Sequence, residues 1–257
     1  MFFLLRSFLP SFALQTDTFS IFPCKKKLGQ VCYRIHAQVP VGEGVNNPMF
    51  VQVGSLKSRV DNPQFEFLSY APPQITNVIG LSQGFPTDGY PAAAGKVVVT
   101  GSNFAYDGTI IFGSASNDGT PHQISCGPSS PGYVCNQTTI SCYIPAGEGT
   151  NLAVRVVVAG QVSSSYIQQS LSYFPPSISS FSVDGNAFGA ADTIGGQTLT
   201  ISGNNFGRPY SSVNASTSAG QPPTVQLGPL KLSCLTFQSS HHSISCTIPQ
   251  GDGVRQK

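Results

Sequence analysis

Apolar and polar residues alternate along this chain in short runs, and glycine- and proline-rich segments separate them. Within residues 139–144, Ile140, Cys142 and Ile144 fall on one face and Thr139, Ser141 and Tyr143 on the other. Val154, Val156 and Val158 likewise share one face of residues 151–158. A period of two marks a half-buried strand. The same reasoning predicts strands over 75–79, 96–100, 109–112 and 122–126, and one within 166–173. About seven short strands in roughly one hundred residues suit a β-sandwich with an immunoglobulin-like layout.

The pattern also repeats at long range. GGQTLTISGNNFG at 195–207 matches AAGKVVVTGSNFA at 93–105. In each, β-formers run into a Gly-x-Asn-Phe turn: Gly101, Asn103 and Phe104, then Gly203, Asn205 and Phe206. The expectation is that each glycine takes a positive φ, the asparagine follows it round, and the phenylalanine anchors the turn on a core. PVGEG at 40–44, PAGEG at 145–149 and PQGDG at 249–253 repeat as well, as do LSYAPPQI at 68–75 and LSYFPPSI at 171–178. Three landmarks agree on a spacing of 102 to 105 residues, which is the size of an independent small domain. The expected organisation is a truncated repeat over 15–71, a complete one over 72–175, and one over 176–257 lacking its last strands. Residues 1–14 are expected to be a signal-peptide remnant or a mispredicted start: the run is apolar but interrupted by Arg6 and Pro10, and too short to span a bilayer.

Composition sharpens this picture. Charged residues are 9% of the chain, the formal net charge is +2, and the only basic cluster is Lys25–Lys27. Nucleic-acid binding therefore has little electrostatic support. No spacing of histidines and cysteines resembles a zinc site, each Gly-x-Gly turn offers one carboxylate (Glu43, Glu148, Asp252) where calcium needs several, and no nucleophile elbow is present. His241 and His242, adjacent on an expected strand, would point to opposite faces. The reading is a non-enzyme with no cofactor and no metal.

Seven cysteines remain. Alternation turns Cys126 and Cys142, and Cys234 and Cys246, into the core, so the candidate disulfides are Cys24–Cys32, Cys126–Cys142 and Cys234–Cys246. Cys135, placed in a loop, is the unpaired candidate, and Cys126–Cys135 competes with Cys126–Cys142. Disulfides imply an oxidising compartment. Two glycosylation candidates, Asn136 in Asn-Gln-Thr and Asn214 in Asn-Ala-Ser, suit the same compartment.

The run from Pro176-Ser177-Ile178 through Gly195–Gly207 to Ile244–Gly253 resembles the IPT/TIG family, the immunoglobulin-like domains shared by plexins and transcription factors. The second repeat matches through Pro73-Gln74-Ile75, residues 95–104 and residues 140–149. It departs in its extra Cys135. The resemblance implies an all-β tandem of E-set type sandwiches, usually extracellular, with no shared catalytic residues. The intracellular DNA-binding members fit poorly with paired cysteines and no basic face. The expected function is recognition or adhesion at the cell surface or outside the cell, through a protein or glycan ligand and the loops 80–95, 118–133 and 204–223. Alternatives are a spacer array of a surface receptor and an accessory domain of a secreted polysaccharide-acting enzyme. Membrane attachment is expected only through a segment outside this chain.

Overall fold

The computed structural model describes residues 19–25, 31–53, 55–58, 67–81, 84–89, 95–113, 124–184, 186–187, 190–208, 210–211, 224–227, 230–231 and 237–251. Structural statements below concern those residues. The chain forms two bodies, one of residues 1–72 with 158–161, the other of 73–157 with 162–257.

In the first body, β1 (Phe19–Lys25) pairs antiparallel with β2 (Val31–Ala37), and the register sets Cys24 opposite Cys32. Short ladders join β3 (Asn47–Pro48) to β6 (Phe67–Leu68), and β4 (Gln52–Val53) to β5 (Leu56–Lys57). The Tyr70 hydroxyl donates to Pro40 O at 3.0 Å, and Tyr70 N donates to Gly44 O at 2.9 Å. The second repeat copies both bonds: Tyr173 donates through its hydroxyl to Pro145 O at 2.8 Å and through its N–H to Gly149 O at 2.9 Å. The Pro-x-Gly-x-Gly motif is therefore a turn latched by a tyrosine from a later strand. The middle glycine leaves room for that ring, because a Cβ on Gly147 would lie 2.5 Å from the Tyr173 hydroxyl oxygen.

The second repeat is a two-sheet sandwich. One sheet has the order β11 (Val134–Asn136), β12 (Thr139–Tyr143), β8 (Lys96–Ser102), β7 (Gln74–Ile79). The other runs β10 (Ile124–Cys126), β9 (Thr109–Gly113), β13 (Leu152–Val158), β14 (Gln161–Val162), with β15 (Tyr166–Leu171) also on β13. Val78, Val97, Val99 and Ile140 from the first sheet, and Ile110, Phe112, Val154, Val156 and Leu171 from the second, are fully buried. Burying such side chains contributes about 1.5–3 kcal/mol each before entropy is counted. Strand β13 is buried on both faces: Ala153 and Arg155 are covered as well as the valines, where alternation alone had left one face to solvent.

The third repeat lays out one sheet in the order β17 (Asn186–Ala187), β16 (Ser177–Val183), β18 (Thr198–Asn204), β23 (Ser243–Thr247), β22 (Phe237–Ser239), β19 (Tyr210–Ser211), with a separate hairpin of β20 (Gln226–Leu227) and β21 (Leu230–Lys231). Val183, Leu199, Ile201, Phe206, Ile244, Cys246 and Ile248 form its core.

The two Gly-x-Asn-Phe turns coincide in detail. Asn103 and Asn205 both hold φ 62°, and Phe104 and Phe206 are buried. The expected positive φ at Gly101 and Gly203 is not what the structure shows; the left-handed residue is the asparagine. The glycines are there for close approach. A Cβ on Gly101 would collide with Gln74 O of β7, and one on Gly203 with Ser177 O of β16. Both first strands also bulge at the same place, where the Thr76 and Ser179 hydroxyls donate to the carbonyls of Thr100 (3.1 Å) and Ser202 (3.0 Å).

A candidate functional site at the joint between repeats

Cys126 and Cys142 form a disulfide with Cα atoms 6.4 Å apart. They lie on β10 and β12, which belong to different sheets. The bridge therefore staples the two sheets of the sandwich together through its core. Cys135 lies outside this bridge. It sits on strand β11, not in a loop, opposite Ile140, with its Sγ 3.8 Å from Phe104 O. Cys246 is also disulfide-bonded; Cys234 lies outside the described residues, as do Asn214 and the side chains of Cys24 and Cys32. Asn136 is exposed, and its Oδ1 accepts from Thr138 N (3.0 Å), Thr138 Oγ1 (3.2 Å) and Thr139 N (2.9 Å), closing the β11–β12 turn.

The third repeat builds the equivalent turn with Ser240, whose Oγ accepts from His242 N (3.3 Å) and Ser243 N (3.1 Å). His241 and His242 thus stand in a turn ahead of β23. The expected strand geometry, with one ring on each face, does not hold: both rings reach the loop 87–88 of the second repeat. His241 Nδ1 lies 3.0 Å from Thr87 Oγ1, and His242 Nε2 lies 3.6 Å from Asp88 Oδ2.

Two further contacts fix this joint. Asn205 accepts a hydrogen bond from Thr87 N on Oδ1 at 3.3 Å, and donates through Nδ2 to Pro175 O at 3.4 Å. The left-handed backbone of Asn205 aims its amide at the preceding repeat. Glu148, from the Pro-x-Gly-x-Gly turn, accepts from Arg208 N at 3.2 Å and pairs with Arg208 Nη2 at 3.7 Å. Both side chains are mostly buried, at 19% and 15% exposure, so solvent screens the pair less than a surface one. A Cβ on Gly207 would lie 2.5 Å from Glu148 Oε2, so glycine admits the carboxylate.

Burial pushes the His241 imidazole below its ordinary range. His242 adds to the lowering, while the Asp88 and Glu148 carboxylates pull the other way. Burial likewise raises the Tyr173 phenol. Thr87, Asp88, Phe174, Ser177, Asn204, Asn205 and His242 line a cleft of about 440 Å³ at the joint. Among the described residues, no three His, Cys, Asp or Glu side chains stand close enough together to hold a metal, and no helix is long and apolar enough to cross a membrane, which says nothing of strands that could.

Sequence reasoning missed Thr87, Glu148 and Arg208. Glu148 recurs as part of a turn, which explained it too well. The one available signal was Arg208, a cation where the second repeat carries Tyr106. Loop 80–95, one of the candidate binding loops, is partly packed down: Leu81, Phe85 and Thr87 are buried, and Phe85 N donates to Ser172 O at 3.0 Å.

No curated protein matches the chain. Among solved structures, SGBP-B from a complex xyloglucan utilization locus in Bacteroides uniformis is 22% identical, with 71% of this chain covered, 44% of that one, and a TM-score of 0.27. The plexin A4 extracellular region is 19% identical, with 74% of this chain covered, 17% of that one, and a TM-score of 0.27. The chain spans less than half the length of either. The IPT/TIG domain family matches residues 81–173 and 176–256. With its two Pro-Pro openings, its paired Gly-x-Asn-Phe turns and these two matches, the chain belongs to the IPT/TIG domain family.

Proposed function

We propose that this chain is a non-enzymatic recognition or adhesion module of the extracellular space or cell surface, built of tandem IPT/TIG domains, with a protein or glycan as its ligand. Residues 15–71 are read as the C-terminal part of one such domain, on the strength of the Tyr70 latch that the second repeat shares. The observation that carries the functional reading is the built joint. Asn205, the Glu148–Arg208 pair and the two histidines hold consecutive domains in one orientation, and a fixed orientation presents loops at a defined place. Such ordering lowers the entropic cost of engaging a ligand. A buried disulfide supports an oxidising compartment, and the exposed Asn136 turn is read as a glycan acceptor there. Any membrane anchor is read as lying outside this chain.

The test is secretion from eukaryotic cells, followed by binding of the whole chain to a glycan array and a panel of extracellular proteins. The reading expects a saturable ligand in one of the two, and a mass at Asn136 that N-glycan removal reduces. Binding to neither would leave a spacer as the function.

A further inference from the structure

We propose that the cleft at the joint between the second and third repeats binds a short stretch of a neutral glycan. This deepens the recognition reading and rests on it. The two walls come from different domains: Pro86, Asp88 and Phe174 from the second, and Ser177, Asn204 and His242 from the third. The Asn205 and Glu148–Arg208 contacts fix the walls relative to each other, so the cleft exists before anything enters it.

Its chemistry selects the ligand. Phe174 is 46% exposed, and its ring lies against Gly84, where a Cβ would come within 2.8 Å of Cδ1. That glycine makes room for the phenyl ring, whose exposed part offers an apolar surface to the C–H face of a pyranose. In the same lining, His242 Nδ1 meets Asn204 Oδ1 at 3.2 Å and His242 Nε2 lies 3.6 Å from Asp88. The mutual contacts hold these planar groups in place. Asn204 Nδ2 is a donor and the second Asp88 oxygen an acceptor that sugar hydroxyls can engage. A polyol presents donors and acceptors side by side, and matches this mixture. Among the described residues of the lining, Asp88 is an acidic side chain and no Lys or Arg is present, which disfavours phosphate, sulfate and carboxylate ligands. The polar side chains of the lining, Asp88, Asn204 and His242 among them, would lose their hydration under a lipid tail.

The test uses the full secreted chain on an array of neutral gluco-, manno-, galacto- and xylo-oligosaccharides beside sulfated and sialylated glycans, followed by calorimetry on the best ligand. Neutral oligosaccharides should bind and acidic ones should not. Phe174→Ala should weaken binding about tenfold, an aromatic contact near the upper end of its usual strength, and Asp88→Ala should weaken it several-fold. Both side chains are exposed, so an unchanged melting temperature is expected and checks that each variant folds. Equal glycan affinity in both variants would overturn the cleft and leave glycan recognition standing elsewhere on the chain. A protein ligand without any glycan would overturn the cleft alone. No ligand of either kind would overturn the cleft and the recognition reading together.

Discussion

Glu148 and Arg208, 60 residues apart, meet through two contacts: the carboxylate accepts the Arg208 backbone N–H at 3.2 Å and stands 3.7 Å from its guanidinium. One residue belongs to a turn of the second repeat and the other follows the Asn-Phe turn of the third. Glu148→Ala should therefore loosen the joint without unfolding either domain. The expected loss is about 2 kcal/mol of docking free energy, since a charge-assisted bond is removed and an arginine left in a poorly solvated place. Calorimetry should then show two transitions where the parent shows one. A single unchanged transition would mean that the pair does not couple the domains.

Gly203 admits the backbone of β16 against β18. Gly203→Ala should cost about 2–3 kcal/mol, because the added methyl meets the Ser177 carbonyl, which a strand cannot easily withdraw. Gly251→Ala is the control, since a Cβ there meets nothing within 4 Å. Urea midpoints for the two variants compare the effects directly.

The Cys126–Cys142 bridge closes a segment of 16 residues. Replacing both cysteines by alanine should destabilise the second repeat by about 3 kcal/mol on loop-entropy grounds. Peptide mapping of unreduced protein checks the pairing, and a Cys126–Cys135 fragment would contradict it.

His241 carries a pH prediction. Its imidazole is held below the ordinary range in the assembled joint, first by burial. A base so placed takes up a proton more readily when the joint opens. The contribution to docking is therefore fully present above the ordinary imidazole value and declines as pH falls through about 6.5. Asp88 and Glu148 soften the effect and His242 sharpens it. Domain co-unfolding followed between neutral and mildly acid pH should weaken on acidification, and His241→Gln should flatten the slope. A slope that survives the substitution would assign it to another group.

Much of the fold was legible because strand formation is a local matter. Alternation in residues 139–144 and 151–158 put Ile140, Cys142, Val154 and Val156 in the core, and there they lie. Phe104 and Phe206 anchor their turns as their apolar size requires. The turn glycines were found for the wrong reason. Sequence shows that a position needs glycine, but not whether a positive φ or a neighbouring strand excludes the side chain.

The amino-acid order by itself determined the repeat, its strands and its buried faces, because each follows from residues within one turn or one pleat of each other. Only the tertiary structure decided that the Cys126–Cys142 bridge joins two sheets, that His241 and His242 share a turn, and that Asn205 grips Thr87 across 118 residues. Those side chains satisfy their local pattern equally well whether or not they touch another domain. Their partners are chosen by how completed domains pack, and no local periodicity encodes that.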